Sequence, residues 1–300
     1  MKLLIFGGSG LVSGRVVAFA IDAGYEVIAI TRGKRKLTIN PTITHIKVDR
    51  DTDDLKFIAD KYSYDAVLDI ICKTPEHARQ AVLLAKHCKR LIMVSTDYVY
   101  EPRYRKLFLK EKNAVFTSQQ DYGGQKRLAE EVVYKAQKEG GIHGTILRPP
   151  HIYGPGSNPG TIPKHGRQSD LVDHIRAGRA LNLLYGGLGL IQPIHANDFA
   201  HLILALINKS SSYGEAYNTS GPELMTHANY YEAIALALGI EAKITAYCPQ
   251  KGATDVNHYV SGHRCYDMSK LNGVLPGFTY TPFIEGVKDW VNQIISQSEK

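Results

Sequence analysis

Residues Ile5–Arg15 read IFGGSGLVSGR. Gly7, Ser9 and Gly10 stand where an apolar run gives way to a helical pattern. Glycine lets the backbone come close to a ligand, and the free N–H groups of a turn that opens a helix attract phosphate. Such a turn cradles the pyrophosphate of a dinucleotide. A second cluster lies at the end of the next apolar run, in AITRGKRK. A turn built for NAD carries an acid there for the ribose 2′-hydroxyl, whereas Thr31 and Arg32 occupy that place, followed by Lys34, Arg35 and Lys36. Arginine pairs with a 2′-phosphate, so NADP is expected, with NAD as the alternative and a solvated basic loop as the plainer reading. A third pattern is a phenol and an ammonium four residues apart. Tyr122–Lys126, Tyr134–Lys138, Tyr247–Lys251 and Tyr266–Lys270 all fit. A free tyrosine titrates near ~10, and a neighbouring ammonium lowers that toward the range useful for proton transfer. Spacing alone does not choose among the four.

These groups need elements to position them. Lys2–Phe6 has the length of a buried strand, and Val12, Val16, Phe19, Ala20 and Ala23 recur at helical spacing before Gly24. Strands are expected at 25–30, 45–49, 66–71, 90–95 and 144–148, with helices near 53–60, 75–87 and 122–138. Asp49, at the end of the third strand, would reach the adenine edge. This alternation implies a doubly wound parallel sheet of Rossmann type, covered on both faces. Beyond Pro149 the pattern loosens into YGPGSNPGTIPKHG, a loop by composition, with helices near 171–177, 198–207 and 230–238 and an amphipathic tail at 283–295. The expected division is a dinucleotide-binding domain over 1–153, with 192–222 returning to it. A smaller discontinuous substrate domain takes 154–191 and 223–300.

The chain has 300 residues, 44% hydrophobic and 22% charged, as ordinary globular proteins do. No apolar stretch approaches the ~20 residues of a membrane span. An export signal is the other reading of the N-terminus, since Lys2 precedes an apolar run and Ala18–Ala20 reads AFA. The glycines break that run after four residues and Arg15 follows, so a cytoplasmic protein is expected. Cys72, Cys88, Cys248 and Cys265 show neither paired nor metal-type spacing, and no His/Asp/Glu cluster has ligand spacing, so no metal is expected. The net charge of +7 suits an anionic partner.

On these residues the chain resembles the extended or atypical short-chain dehydrogenase/reductase superfamily, of the NAD-dependent epimerase/dehydratase type. Gly7 and Gly10 match its G-x-x-G-x-x-G turn, but Ser13 stands at the third glycine and Gly14 comes one residue late, a departure expected to bear on helix packing more than on phosphate contact. The family works through Tyr-x-x-x-Lys and an upstream hydroxyl. Only Tyr122 lies between the segments LIMVSTDYVY and GTILRPPHIYGPG that match the family's flanking strands, and STDYVY is close to the corresponding piece of dTDP-4-dehydrorhamnose reductases. The resemblance therefore implies Thr96, Tyr122 and Lys126 as the catalytic set, with Tyr134, Tyr247 and Tyr266 as bystanders. Helix geometry agrees, since positions 122, 126, 129, 133 and 136 share a face that reads Tyr, Lys, Ala, Val, Ala.

The implied cofactor contacts are Gly7, Ser9, Gly10, Leu11 and Val12 at the turn. Arg32, Asp49, Arg50 and Ile71 lie toward the adenosine, and Ser95, Tyr122, Lys126 and Pro149 toward the nicotinamide. His151 stands where sugar-nucleotide relatives contact a diphosphate. The arginine those relatives carry farther on is Ile191 here, and Lys164, His165 and Arg167 are its candidate replacements. His195 and Asp198 are expected to be structural. The expected substrate is a sugar-like, possibly nucleotide-linked small molecule. A homodimer is compatible with the family. The stretch 215–240 resembles chloroplast stem-loop-binding proteins, so an RNA-binding or regulatory protein on the same scaffold is the alternative. Its candidate surface is PRYRKLFLKEK (102–112), where bases and aromatics interleave.

Overall fold

The computed structural model describes residues 1–35, 37, 43–249 and 262–298. Lys36 and Lys251 of the patterns above lie outside the described residues. The first half alternates as the periodicity requires: β1 (Lys2–Phe6), α1 (Leu11–Asp22), β2 (Glu26–Thr31), β3 (Ile43–Lys47), α2 (Lys56–Lys61), β4 (Ala66–Asp69), α3 (Pro75–Ala85), β5 (Arg90–Val94), α4 (Tyr122–Lys138) and β6 (His143–Arg148). The second half is made of shorter pieces: β7 (Ile152–Tyr153), α5 (Leu171–Arg176), β8 (Leu181–Leu184), β9 (Leu190–Ile191), β10 (Ile194–His195), α6 (Ala196–Ala205), β11 (Glu215–Asn218), β12 (Met225–Thr226), α7 (His227–Ala237), β13 (Ile244–Tyr247), α8 (Ser269–Val274) and α9 (Phe283–Ser298).

Among the described residues, seven strands form one parallel sheet in the order β11-β6-β5-β4-β1-β2-β3. Successive side chains of a strand point to opposite faces. Leu3, Ile5, Val27, Ala29 and Leu68 therefore enter one core, beside residues of α1 and α6, while Leu4, Phe6, Ile28, Val67 and Met93 enter the other, beside α2, α3 and α4. A third core joins Tyr153, Leu171, Ile175, Leu183, Tyr230, Tyr231, Ile234 and Trp290, from α5, β8, α7 and α9.

The chain crosses back to the sheet through α6 and β11. β11 runs parallel to β6, with Tyr217 opposite Leu147. Asp198, on α6, accepts from both the N–H and the hydroxyl of Thr281, at 2.9 and 2.8 Å, which ties that helix to the C-terminal segment. β3 ends two residues before Asp49, earlier than the sequence suggested. Asp49, Asp51 and Asp53 instead form a local turn, in which Asp53 accepts from the Asp49 N–H and Asp49 from the Asp51 N–H. Among the described residues, no helix is long and apolar enough to cross a membrane.

Candidate active site

The turn after β1 brings Gly7 to φ +105°, a backbone state that favours glycine, and a Cβ there would meet the Ser13 side chain at 2.8 Å. A Cβ on Gly8 would meet Leu37 at the same distance. Ser13 is buried, and its Oγ accepts from the Gly10 N–H at 3.1 Å. The change from the third glycine therefore touches the phosphate turn itself and not only helix packing. Leu11 and Val12 follow, half-buried, in the first turn of α1. Arg15 spans from Leu11 O to Pro155 O and to Asn197 Oδ1, which fixes the start of α1 against the later loop and α6.

A cavity of about 420 Å³ opens at this turn. Gly7, Ser9, Gly10, Arg32, Asp49, Arg50 and Ile71 all line it, with Lys34, Arg35 and Lys73 adding positive charge. Arg50 does so as part of the wall. Its guanidinium is buried, bonded twice to Asp69 at 3.0 Å and once each to Gln80 Oε1 and His77 O. These four bonds commit most of its donors to the fold. Beside it His77 holds Asp51 at 2.7 Å, and that bond keeps the carboxyl below its ordinary range, with help from Arg50 and Arg32. Arg32, Lys34 and Arg35 are exposed at the mouth.

Thr96 ends the extended run after β5 and caps a single turn of 3₁₀ helix, its hydroxyl accepting from the Tyr98 N–H at 3.3 Å. Tyr122 is the first residue of α4, whose N-terminus is capped by Asp121 Oδ1 accepting from the Gly124 N–H. One turn on, Lys126 is buried. Its ammonium donates to Cys72 O at 2.5 Å and to Val94 O at 2.6 Å, and it lies 6.0 Å from the centre of the Tyr122 ring. Burial pushes its ionisation down, while Cys72, Asp69 and Glu130 pull it up.

Tyr122 is half exposed, and its phenol is pushed up to about 12 by desolvation first, then by Asp97, Tyr98 and Cys72. The lowering expected from Lys126 is not found: desolvation first, and then those side chains, raise the phenol. Ser95 turns away from this space. Its hydroxyl donates to Glu130 at 2.6 Å, within a buried pair that Glu130 makes with Arg148. Pro149 is buried, and its carbonyl accepts from the Asp97 N–H.

A second cavity, of about 530 Å³, is lined by Tyr98, whose ring meets the Tyr122 ring edge-on at 6.2 Å. His151, Lys164 and Arg167 all line it, together with Thr161 and Arg264. His151 is buried 3.3 Å from the Tyr230 hydroxyl, and burial, then Arg167 and Arg264, holds it neutral, well below the usual histidine range. Lys164 lies over the Tyr247 ring, and Arg167 donates to Ile152 O. His165 faces away, accepting from the Asn182 N–H. His195 is buried at the start of α6, beside Tyr153.

Arg264 was not singled out from sequence, and neither was Asp97. Asp97 is fully buried and accepts from Arg264 Nε at 2.7 Å, Arg264 Nη2 at 2.9 Å and the Tyr266 hydroxyl at 2.7 Å. Tyr266 therefore reaches the turn that carries Thr96, as a support for Asp97. Tyr134 lies at the far side of α4, its hydroxyl accepting from Arg148. In segment 102–112, Tyr104 and Phe108 are exposed, but the Arg105 side chain is buried toward Asp97, Arg103 pairs with Glu101 and Lys110 pairs with Asp267. Among the described residues, no group of histidine, cysteine and carboxylate side chains is arranged to hold a metal.

Known proteins share this design. The chloroplast stem-loop binding protein of 41 kDa b from Arabidopsis thaliana is 24% identical, over 97% of this chain and 78% of its own length. The 2′-dehydrokanamycin reductase of Streptomyces kanamyceticus is 23% identical, over 80% of this chain and 67% of its own. The UDP-glucose 4-epimerase of Thermotoga maritima, solved with UDP-glucose, superposes with a TM-score of 0.81 at 18% identity, covering all of both chains. The profile described as the NAD dependent epimerase/dehydratase family matches residues 3–219. The glycine turn, the parallel sheet and the Tyr122–Lys126 helix all fall inside that span, and the chain belongs to the NAD dependent epimerase/dehydratase family of enzymes.

Proposed function

We propose that this enzyme binds NADP(H) and moves hydride between the nicotinamide and a sugar-like alcohol or carbonyl, as an oxidoreductase or epimerase. The observation that carries the reading is that the contacts of the Tyr122–Lys126 pair lead toward both cavities. Lys126 bonds Cys72 O, whose neighbours Ile71 and Lys73 line the first cavity, and Tyr122 stands against Tyr98, which lines the second. A dinucleotide fits the first cavity because a Cβ would close the turn at Gly7 and Gly8, and because cations ring its adenosine end.

The bound nicotinamide supplies or accepts the hydride. The remaining work falls to the protein. Gly7, Ser9 and Gly10, with Leu11 and Val12 opening the helix, would hold the pyrophosphate on backbone N–H groups. Arg32 would face the 2′-phosphate, and Asp49 the adenine. An ammonium has three donors, and Lys126 spends two of them on Cys72 O and Val94 O, so one is left for a ribose hydroxyl. Thr96 would hold the substrate oxygen in line while Tyr122 gives it a proton or takes one. The positive charge needed to bring the phenol down must then come from the oxidised ring, since the protein's own groups raise it.

The second cavity carries Lys164, Arg167 and Arg264 and, among the described residues, no carboxylate, which supports a substrate with an anionic part, such as a nucleotide-linked sugar. Two of the similar proteins carry a sugar or an aminoglycoside in their names. All four cysteines are free, which supports a reducing, cytoplasmic setting.

Fluorescence titration with NADPH and NADH tests the cofactor. The wild type should favour NADPH. Arg32→Ala should weaken NADPH by about tenfold and leave NADH unchanged, as expected for loss of one charge-assisted bond. Equal affinities, untouched by the substitution, would overturn the preference.

A further inference from the structure

Arg264 joins the C-terminal segment to the catalytic turn, and no role follows for it from the proton and hydride steps above. Its guanidinium is buried, bonded twice to Asp97 and placed 5.0 Å from the centre of the Tyr98 ring, and it also lines the second cavity. Asp97 sits between the two residues that shape the site, Thr96 and Tyr98. The groups facing Asp97 are Arg264 and Tyr266 from the C-terminal segment, Arg105 from the 102–112 loop, and the Thr96 hydroxyl, 3.5 Å away. The groups facing Tyr122 are Asp97 and Tyr98 from the 3₁₀ turn, Cys72 from the end of β4, and Lys126 from its own helix.

We infer that Arg264 is a positioning residue for proton transfer. By clasping Asp97 and lying against Tyr98, it sets the charge and the packing that Tyr122 meets. Asp97 opposes ionisation of the phenol even beside its arginine, and without Arg264 its charge would do so more strongly. Burial works against the charge of Arg264, but Asp97 more than offsets this, so the clasp is closed throughout the working pH range. The inference rests on Tyr122 being the proton-transfer group, as proposed above.

The test is ¹³Cζ-tyrosine NMR on the whole chain, free and with NADP⁺, with Tyr122→Phe identifying the signal. The phenolate fraction of Tyr122 is compared at fixed alkaline pH. Arg264→Gln should lower it by about threefold or more, and Asp97→Asn should raise it by a similar factor, since only one charge of the pair is removed in each. The double variant should return to within about twofold of the wild type. A merely structural clasp would not give opposite signs and a cancellation. If Arg264→Gln does not fold, the comparison of Asp97→Asn with the double variant decides, and an unchanged fraction there overturns the inference. Shifts of the same sign in both single variants, or none, also overturn it. Failure of any dinucleotide to bind would defeat the cofactor reading instead, while the signal of the free protein still decides this one.

Discussion

At the scale of single residues, the site depends on what Tyr122 and Lys126 touch. Tyr122→Phe keeps the ring and removes the hydroxyl, so the variant should fold and bind dinucleotide. Turnover of a sugar-like substrate should fall by about 10²–10⁴-fold, the usual contribution of a general acid–base group. Lys126→Ala should be worse in a second way. It abandons Cys72 O and Val94 O, so cofactor affinity should fall along with rate. Steady-state rates and dinucleotide titration separate the two effects, and a Tyr122→Phe enzyme of undiminished turnover would refute the assignment.

Sequence points to these two residues through the family segments on either side of Tyr122, with a lysine on an otherwise apolar helical face in agreement. It does not point to Asp97 and Arg264. They are 167 positions apart, and a buried ion pair leaves no periodic trace when its halves come from different elements. Arg50 was expected at the cofactor end but not as a group bound into the wall, because its partner Asp69 reads from sequence as the interior of a strand over 66–71.

At the scale of elements, α4 carries the burden. Its first turn must press against the preceding loop, and a Cβ on Gly124 would stand 1.7 Å from Gln119 O, in conflict with backbone. Gly124→Ala should therefore displace the start of the helix, and Tyr122 with it. The expected result is a loss of about 1–3 kcal/mol of stability together with impaired catalysis. Chemical denaturation and turnover, measured side by side, check both. An alanine variant as stable and as active as the wild type would mean that the loop yields freely.

The long elements of the first half were readable, because burial on both faces demands unbroken apolar strands and the helices repeat at 3.6. The two-residue strands β7, β9, β10 and β12 are too short to hold any period, and β11 shows only four residues. Its place at the sheet edge follows from pairing with β6, which local sequence does not encode. The early end of β3 has another cause. Aspartates at 49, 51 and 53 offer the backbone side-chain acceptors that compete with the ladder.

At the scale of the whole molecule, buried neutral histidines set a limit on acid. Burial, then Arg264 and His263, lowers His227 to about 3, whereas an unfolded histidine titrates near ~6.5. The sign follows directly. Between those values the unfolded chain holds the extra proton and the folded one refuses it, so stability falls as pH falls through that window. Each such group contributes a slope of about 1.4 kcal/mol per pH unit. His151 and His195, both lowered by burial, act in the same direction. Denaturant unfolding at several pH values between about 6 and 4 should show this loss, and His227→Gln should reduce the slope by roughly one histidine's share. A slope unaffected by the substitution would show that His227 titrates normally in the fold.

The bond between Arg264 and Asp97 also gives the molecule an order in time. A ribosome makes the chain from the N-terminus, and by Asn218 every strand of the seven-stranded sheet has been made, along with the segments that carry Thr96, Tyr122 and Lys126. Asp97 then waits, without its arginine, until a further 46 residues (264 − 218) have been added. The sheet is thus complete well before the guanidinium that bonds Asp97, and until then Asp97 has Arg105, 4.0 Å away, as its neighbouring cation. If Arg264 positions the proton transfer as inferred above, that tuning arrives only with a segment made after the whole sheet.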